Sequence, residues 1–412
     1  MSTPWRPADR VTMAAGSFTG RTPARPRTVP PPSEGILGRD SKLRHSDWAL
    51  WAAVLSLSMI GVLLVAAATK PTNPTHPFSE AEHQALFLVI GLVLAGLAAV
   101  ADYRALRGAA PIIYALGVLG LLATFVIGSD VSGAKAWIEL GGGIALQPSE
   151  FSKLAMIVLV AMLLNAKKRE RLEIGDVDVV RALIVMAVPM ALVLAQNDTG
   201  TVLVMVAIMF GVLAIGGAPT RWIVGLAVVM ALGAIAVVKL HLLHAYQVER
   251  FTSFLNPNSD LGKSGYNAYQ ARVAIGSGGF TGSGLFHGPQ INGGHVPAAS
   301  TDFIFATAGE ELGFVGAAAI VLLLAVVMWR GLRIAIHAPD LFGRVIAAGV
   351  VCWFAFETFE NVGMNLGIMP ITGIPLQFVS YGGSSVFASM LAIGLLQNVH
   401  IQTKAGPSSA VL

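Results

Sequence analysis

The sequence predicts an all-α fold: a polytopic membrane protein of about ten transmembrane helices with a large extracytoplasmic loop. Three observations carry this. Hydrophobic residues make up 55% of the chain and charged residues only 12%, about half the charged share of a soluble domain. Apolar stretches of roughly 18 to 25 residues recur, each long enough to cross a hydrocarbon core about 30 Å thick. Lys and Arg alternate between dense and sparse connections in step with those stretches. A soluble globular protein is excluded, and nothing in the pattern calls for a nucleic-acid partner.

Residues 1–47 are rich in arginine and proline, with Pro30, Pro31 and Pro32 in a row, and read as a disordered basic tail. No apolar run with a small-residue cleavage site follows its arginines, so it is not a signal peptide. The membrane domain then covers 48–402, with spans near 48–68, 84–101, 109–127, 150–165, 180–196, 199–217, 220–238, 303–329, 343–364 and 384–401, and 403–412 form a short tail. Arg104, Arg107, Lys167, Lys168, Arg169, Arg171, Arg221, Arg330, Arg333, Arg344 and Lys404 fall in alternate connections, which are therefore cytoplasmic, as are both termini. Residues 128–149, 239–302 and 365–383 are then left outside, and long loops that are not low-complexity tend to carry function. The single cysteine, Cys352, lies within a span and excludes an intrachain disulfide or a cysteine metal cluster.

The chemistry-bearing residues gather on the outer side. Asp302, in STDFIFATAGEELG, sits where the long loop enters the eighth span. It is either a helix cap or, with Thr301 capping instead, a free carboxylate. Glu310 and Glu311 follow about 12 Å deeper. They are either functional acids or partners for a buried arginine or backbone group. In QPSEFSKL, Pro148 opens a helix, Glu150 meets the favourable end of its dipole, and Lys153 lies at the i, i+3 spacing from Glu150. Lys153 either snorkels to the interface or points inward as an anion contact. Asp198, in QNDTG, is most simply a turn residue. Arg250, in YQVER, and Arg272 are outer-loop cations able to hold phosphate. MPITGIPLQFVSYGGSS (369–385) is a non-helical loop, permitted where it lines a cavity. The sum is an outward-facing polar cleft, suited to a transporter or to an enzyme acting on a lipid-linked anionic substrate.

Several motifs in order, GAKAWIELG, QPSEFSKL, QNDTGT, YQVERF, GYNAYQARVAIGSGGFTGSGL, STDFIFATAGEELGFVG and GMNLGIMPITGIPLQFVSYGGSS, resemble the SEDS family, which includes RodA and FtsW, over roughly 350 residues. GLFHGPQ and GEELGFVG look nearer its RodA members. The resemblance implies a peptidoglycan glycosyltransferase in the bacterial cytoplasmic membrane, polymerising lipid II at its outer face in elongation, division or a related process. It makes Asp302 the general base, with Lys153, Glu150, Arg250, Arg272, Trp137 and Lys135 binding substrate and Glu310, Glu311, Asp198, Ser380 and Tyr381 in support. It also implies a class B penicillin-binding protein (a transpeptidase) and other elongation or division proteins as partners. A divalent cation, Mg or Mn, at the pyrophosphate is an expectation that no residue pattern carries.

Several positions depart from the family. Ala136 stands where an arginine is usual before Trp137, and Lys135 is its possible substitute. Ala298 and Ser300 replace a glutamate and a histidine, and Asn197 and Gln377 replace prolines. Two other readings stay open: a lipid II flippase using Glu310 and Glu311, and a non-catalytic scaffold for a transpeptidase.

Overall fold

The computed structural model describes residues 45–70, 75–131, 134–141, 144–169, 173–240 and 264–405. Arg250 with its YQVER motif, the tail before His45, and 406–412 lie outside the described residues. The helices are α1 (Trp48–Thr69), α2 (Ser79–Val100), α3 (Tyr103–Ile127), α4 (Pro148–Arg169), α5 (Asp176–Ala195), α6 (Thr199–Gly216) and α7 (Thr220–Lys239). They continue with α8 (Ser264–Gly278), the short α9 (Pro289–Asn292), α10 (Ile304–His337), α11 (Leu341–Leu366) and α12 (Gly383–Ala405). Ten of them, α1–α7 and α10–α12, are long and apolar enough to cross a membrane, in the places the apolar stretches predict. Most run several residues beyond those stretches, because the backbone goes on bonding to itself after the apolar residues end.

The bundle is built around α4, α11 and α12, its most buried spans. Helix α11 packs on α10, α6 and α4, while α12 lies along α2, and α3 along α4. At the periphery α7 touches α6 and buries none of its residues; Val224, Val228 and Leu232 are exposed, as a lipid-facing helix requires. Gly61 shows how tightly the core is closed: a Cβ there would sit 2.7 Å from the carbonyl oxygens of Phe378 and Val379.

Polar anchors tie one face of the bundle together. Asp47 caps α1 through the Leu50 amide (3.1 Å), pairs with Arg330 (2.5 Å), and exchanges backbone hydrogen bonds with the Gln397 amide near the end of α12. The start of the first span and the end of the last therefore lie on the same face. On that face Asp340 accepts from Tyr103 (2.7 Å) and Arg107 (2.5 Å) and caps α11 at Gly343 (2.9 Å).

The opposite face carries two features that spacing did not predict. Residues 129–146 include a small antiparallel sheet, ordered β1 (Ser129–Val131), β2 (Ala134–Gly141), β3 (Ile144–Leu146), with Ser129 opposite Trp137 and Ile138 opposite Leu146. The expected long loop contains α8, and its continuation is stitched into α10 where that helix breaks. Gly313 takes φ 66° and ψ −167°, and the Phe314 and Val315 amides turn to the carbonyls of Gly279 and Phe280 (3.0 and 3.2 Å). The Ser283 and Gly284 amides in return bond the Glu310 and Glu311 carbonyls (2.9 and 3.1 Å). Irregular backbone at membrane depth is tolerable only with such replacement bonds.

Candidate active site

A cavity of about 510 Å³ opens on this face. Strand β2 contributes Trp137, the start of α4 contributes Glu150, and the α5–α6 turn contributes Asn197 and Asp198. Asp302 comes from the turn before α10, Glu357 from α11, and Tyr381 from the segment before α12. Residues separated by more than 240 positions thus face one space. Of the substituted positions, Ala136, Asn197 and Ala298 line it too. Asn197 and Ala298 hold positive φ, 64° and 51°. Among the described lining residues the charged groups are four carboxylates, with no Lys, Arg or His.

Asp302 is not at the capping position of α10. The capping position is Phe303, which makes no side-chain cap bond, and the Thr301 hydroxyl bonds the Ala298 carbonyl instead (3.3 Å). The carboxylate reaches toward Gly373, where a Cβ would lie 3.5 Å from Oδ2. The surrounding turn is held by the Ser380 hydroxyl donating to the Thr301 carbonyl (2.7 Å) and by the Tyr381 amide donating to the Ser300 carbonyl (2.8 Å). Ser380 itself is buried, while Tyr381 lines the cavity. Burial pushes the Tyr381 phenol up from its usual range, and nearby Glu80 adds to the shift, so it serves as a neutral hydroxyl.

Lys153 does not snorkel. It is 0% exposed, with Glu150 at 3% and Glu357 at 2%. Its Nζ donates to Glu150 at 2.8 Å and to Glu357, and lies 4.5 Å from the Trp353 ring centroid. The second oxygen of Glu357 accepts from Gln377. The lysine therefore sits behind the wall, and the two carboxylates it holds face the cavity. Glu357 escaped the sequence reading, although an acid inside a span was the available signal; Asn361 and Asn365, one and two turns on, escaped with it.

Of the other expected residues, Asp198 lines the cavity, while Lys135, Arg272, Glu310 and Glu311 do not. Lys135 donates to the Phe125 carbonyl (3.0 Å) and Arg272 to the Ala268 carbonyl (3.2 Å), and neither lines the cavity. Asp198 caps α6 through Thr201 (3.0 Å to its amide, 2.8 Å to its hydroxyl) and accepts from Gln147 (3.1 Å). Glu310 accepts from the Ser277 hydroxyl (3.0 Å) and from the Gln290 and Ile291 amides (2.8 and 2.9 Å), and Glu311 from the Gly288 amide (3.2 Å). Those two acids thus serve backbone groups of the folded-back loop. Among the described residues no three His, Cys, Asp or Glu side chains are placed to hold a metal ion. Glu150, Asp198 and Glu357 bond Lys153, Thr201, Gln147 and Gln377.

The chain is similar to known proteins over most of its length. The FtsW/RodA/SpoVE model, described as cell cycle protein, matches residues 44–405. A probable peptidoglycan glycosyltransferase FtsW of Trichlorobacter lovleyi is 34% identical over 90% of this chain and 97% of its own. Peptidoglycan glycosyltransferase MrdB of Escherichia coli K12 is 34% identical over 87% of this chain and 95% of its own. A solved chain from a peptidoglycan synthase complex, described as coordinating polymerization and crosslinking, superposes with a TM-score of 0.72 at 29% identity, covering 88% of this chain and 99% of the other. With the motifs in order, the ten spans and the match across nearly the whole membrane domain, the chain belongs to the FtsW/RodA/SpoVE family of cell-cycle proteins.

Proposed function

We propose that this protein is a peptidoglycan glycosyltransferase that polymerises lipid II at the outer face of the cytoplasmic membrane, with Asp302 as general base. The observation that carries the reading is the placing of Asp302 in a 510 Å³ cavity with Trp137, Glu150 and Tyr381. The Asp302 carboxylate takes the proton of the acceptor sugar hydroxyl as that oxygen attacks the donor's anomeric carbon. The bond from that carbon to undecaprenyl pyrophosphate breaks, and the leaving group departs with the bonding electrons.

The developing phosphate charge needs cations. With none among the described lining residues, Arg250 is the assigned contact, and Lys153 acts by keeping Glu150 and Glu357 in place. The positive-inside pattern supports an outward-facing cavity with both termini in the cytoplasm. A transpeptidase is the proposed partner, by likeness to the synthase complex. Loss of the usual arginine and glutamate at Ala136 and Ala298, both on the cavity wall, points to an altered grip on the substrate. The flippase alternative is weakened, because the Glu310 and Glu311 carboxylates it relied on serve loop amides.

The test is polymerisation of lipid II by purified protein with its transpeptidase partner. Wild type is expected to make glycan strands and Asp302→Asn none, with unchanged melting. Full polymerisation by Asp302→Asn would remove the general-base role, and transbilayer movement of lipid II without polymer would favour a flippase.

A further inference from the structure

Glu357, Asn361 and Asn365 recur every four residues on α11, so they form one stripe down a single helix face. All three are buried. Buried polar groups in a span are costly unless bonded, and the bonds of this stripe run to both halves of the site. Glu357 holds Lys153 of α4. Asn361 Nδ2 donates to the carbonyls of Asp302 (2.9 Å) and Ile374 (2.8 Å). Asn365 Nδ2 donates to the same Asp302 carbonyl (3.1 Å), and its Oδ1 accepts from the Ala306 amide (3.0 Å).

The Ala306 bond reinforces the start of α10. Phe303 supplies no side-chain cap there, and the Ala306 amide bonds the Phe303 carbonyl (2.9 Å). Asn365 adds a second acceptor to that amide from a neighbouring helix. The backbone of Asp302 is thereby gripped at its own carbonyl by two donors and, four residues on, at the first turn of α10. Those contacts fix the backbone from which the carboxylate leaves.

We propose that Asn361 and Asn365 are positioning residues that aim the Asp302 carboxylate, while Glu357 ties the Glu150–Lys153 pair to the same helix face. The proposal rests on Asp302 being the general base. It differs from a plain packing role in that the groups bonded belong to the reacting residue. A shift of about 1 Å in such a group can cost on the order of 100-fold in rate without weakening substrate binding.

The test compares Asn361→Leu, Asn361→Gln and Asn398→Leu in steady-state polymerisation of lipid II. Asn398 is the control, because its Nδ2 donates to three backbone carbonyls, of Ala98, Ala99 and Ala101, on the opposite face of the bundle. Asn361→Leu should lower kcat about 10- to 100-fold with KM within about two-fold, and Asn361→Gln, which keeps a donor, should recover most of the rate. Asn398→Leu should lower the melting temperature comparably and leave kcat unchanged. If Asn361→Leu does not fold, Asn365→Asp is measured instead, since it loses the donor to Asp302 and keeps the acceptor for Ala306. Wild-type kcat in the folded Asn361 or Asn365 variant, or a loss no greater than in Asn398→Leu, would overturn the positioning role while leaving the glycosyltransferase reading intact. Absence of polymer from wild type would overturn both.

Discussion

Lys153→Met isolates what the buried trio contributes. Lys153 and its two carboxylates are almost wholly shielded from solvent, and the Nζ–Glu150 separation is 2.8 Å. At an effective dielectric near 20 such a pair attracts by about 6 kcal/mol. Desolvation of the charges offsets much of that, so the net effect is set by what truncation leaves behind. Methionine fills similar volume and leaves Glu150 and Glu357 facing one another with no cation between them. Removing one partner of a buried ion pair costs about 3–5 kcal/mol, or about 4–7 °C in melting temperature for a chain of this size. The assay is thermal unfolding in detergent, run beside the triple variant Glu150→Gln/Lys153→Met/Glu357→Gln. The triple variant should return to within about 2 °C of wild type, because no charge is left buried without a partner. It should still polymerise poorly, since both glutamates line the cavity. A Lys153→Met protein that melts with wild type, or a triple variant no more stable than the single one, would refute the reasoning.

Two further outcomes follow from the α10 break. Gly313→Ala forces a side chain into φ 66°, ψ −167° and brings its Cβ within 2.7 Å of the Thr281 carbonyl carbon; the combined strain and crowding should cost about 2–5 kcal/mol, read as a lower melting temperature, and an unchanged one would count against the break. Glu310→Gln weakens charge-assisted bonds worth about 1.5–3 kcal/mol each, so amide exchange at Gln290 and Ile291 should accelerate selectively. Uniform exchange across the protein in that variant would deny the carboxylate its hold on the loop.

The spans were legible because hydropathy needs only a local window, and that window also explains the errors at their ends. Polar final turns such as Thr403 and Lys404 continue α12 by backbone bonding after the apolar signal has gone. The Glu150–Lys153 pair was legible for the same reason, since both residues lie on one helix turn. Glu357 was not, because its partner is 204 residues away and no spacing rule reaches that far. Asp302 stood out as an acid at a span boundary, yet spacing left it open as a helix cap. The capping position falls one residue on, at Phe303, and no local spacing rule foresees Asn361 and Asn365 on the Asp302 carbonyl. The small sheet escaped because β1 and β3, at three residues each, leave almost no periodicity, although their partner β2 is what carries Trp137 to the cavity.

The α5–α6 turn limits which residues can stand on this wall of the cavity. Asn197 holds φ 64°, a left-handed conformation that asparagine tolerates better than most residues. Proline is locked near −65°, so Asn197→Pro would force a new path on the turn that carries Asp198. The position is open mainly to glycine or aspartate, and the backbone rather than the cavity sets that choice.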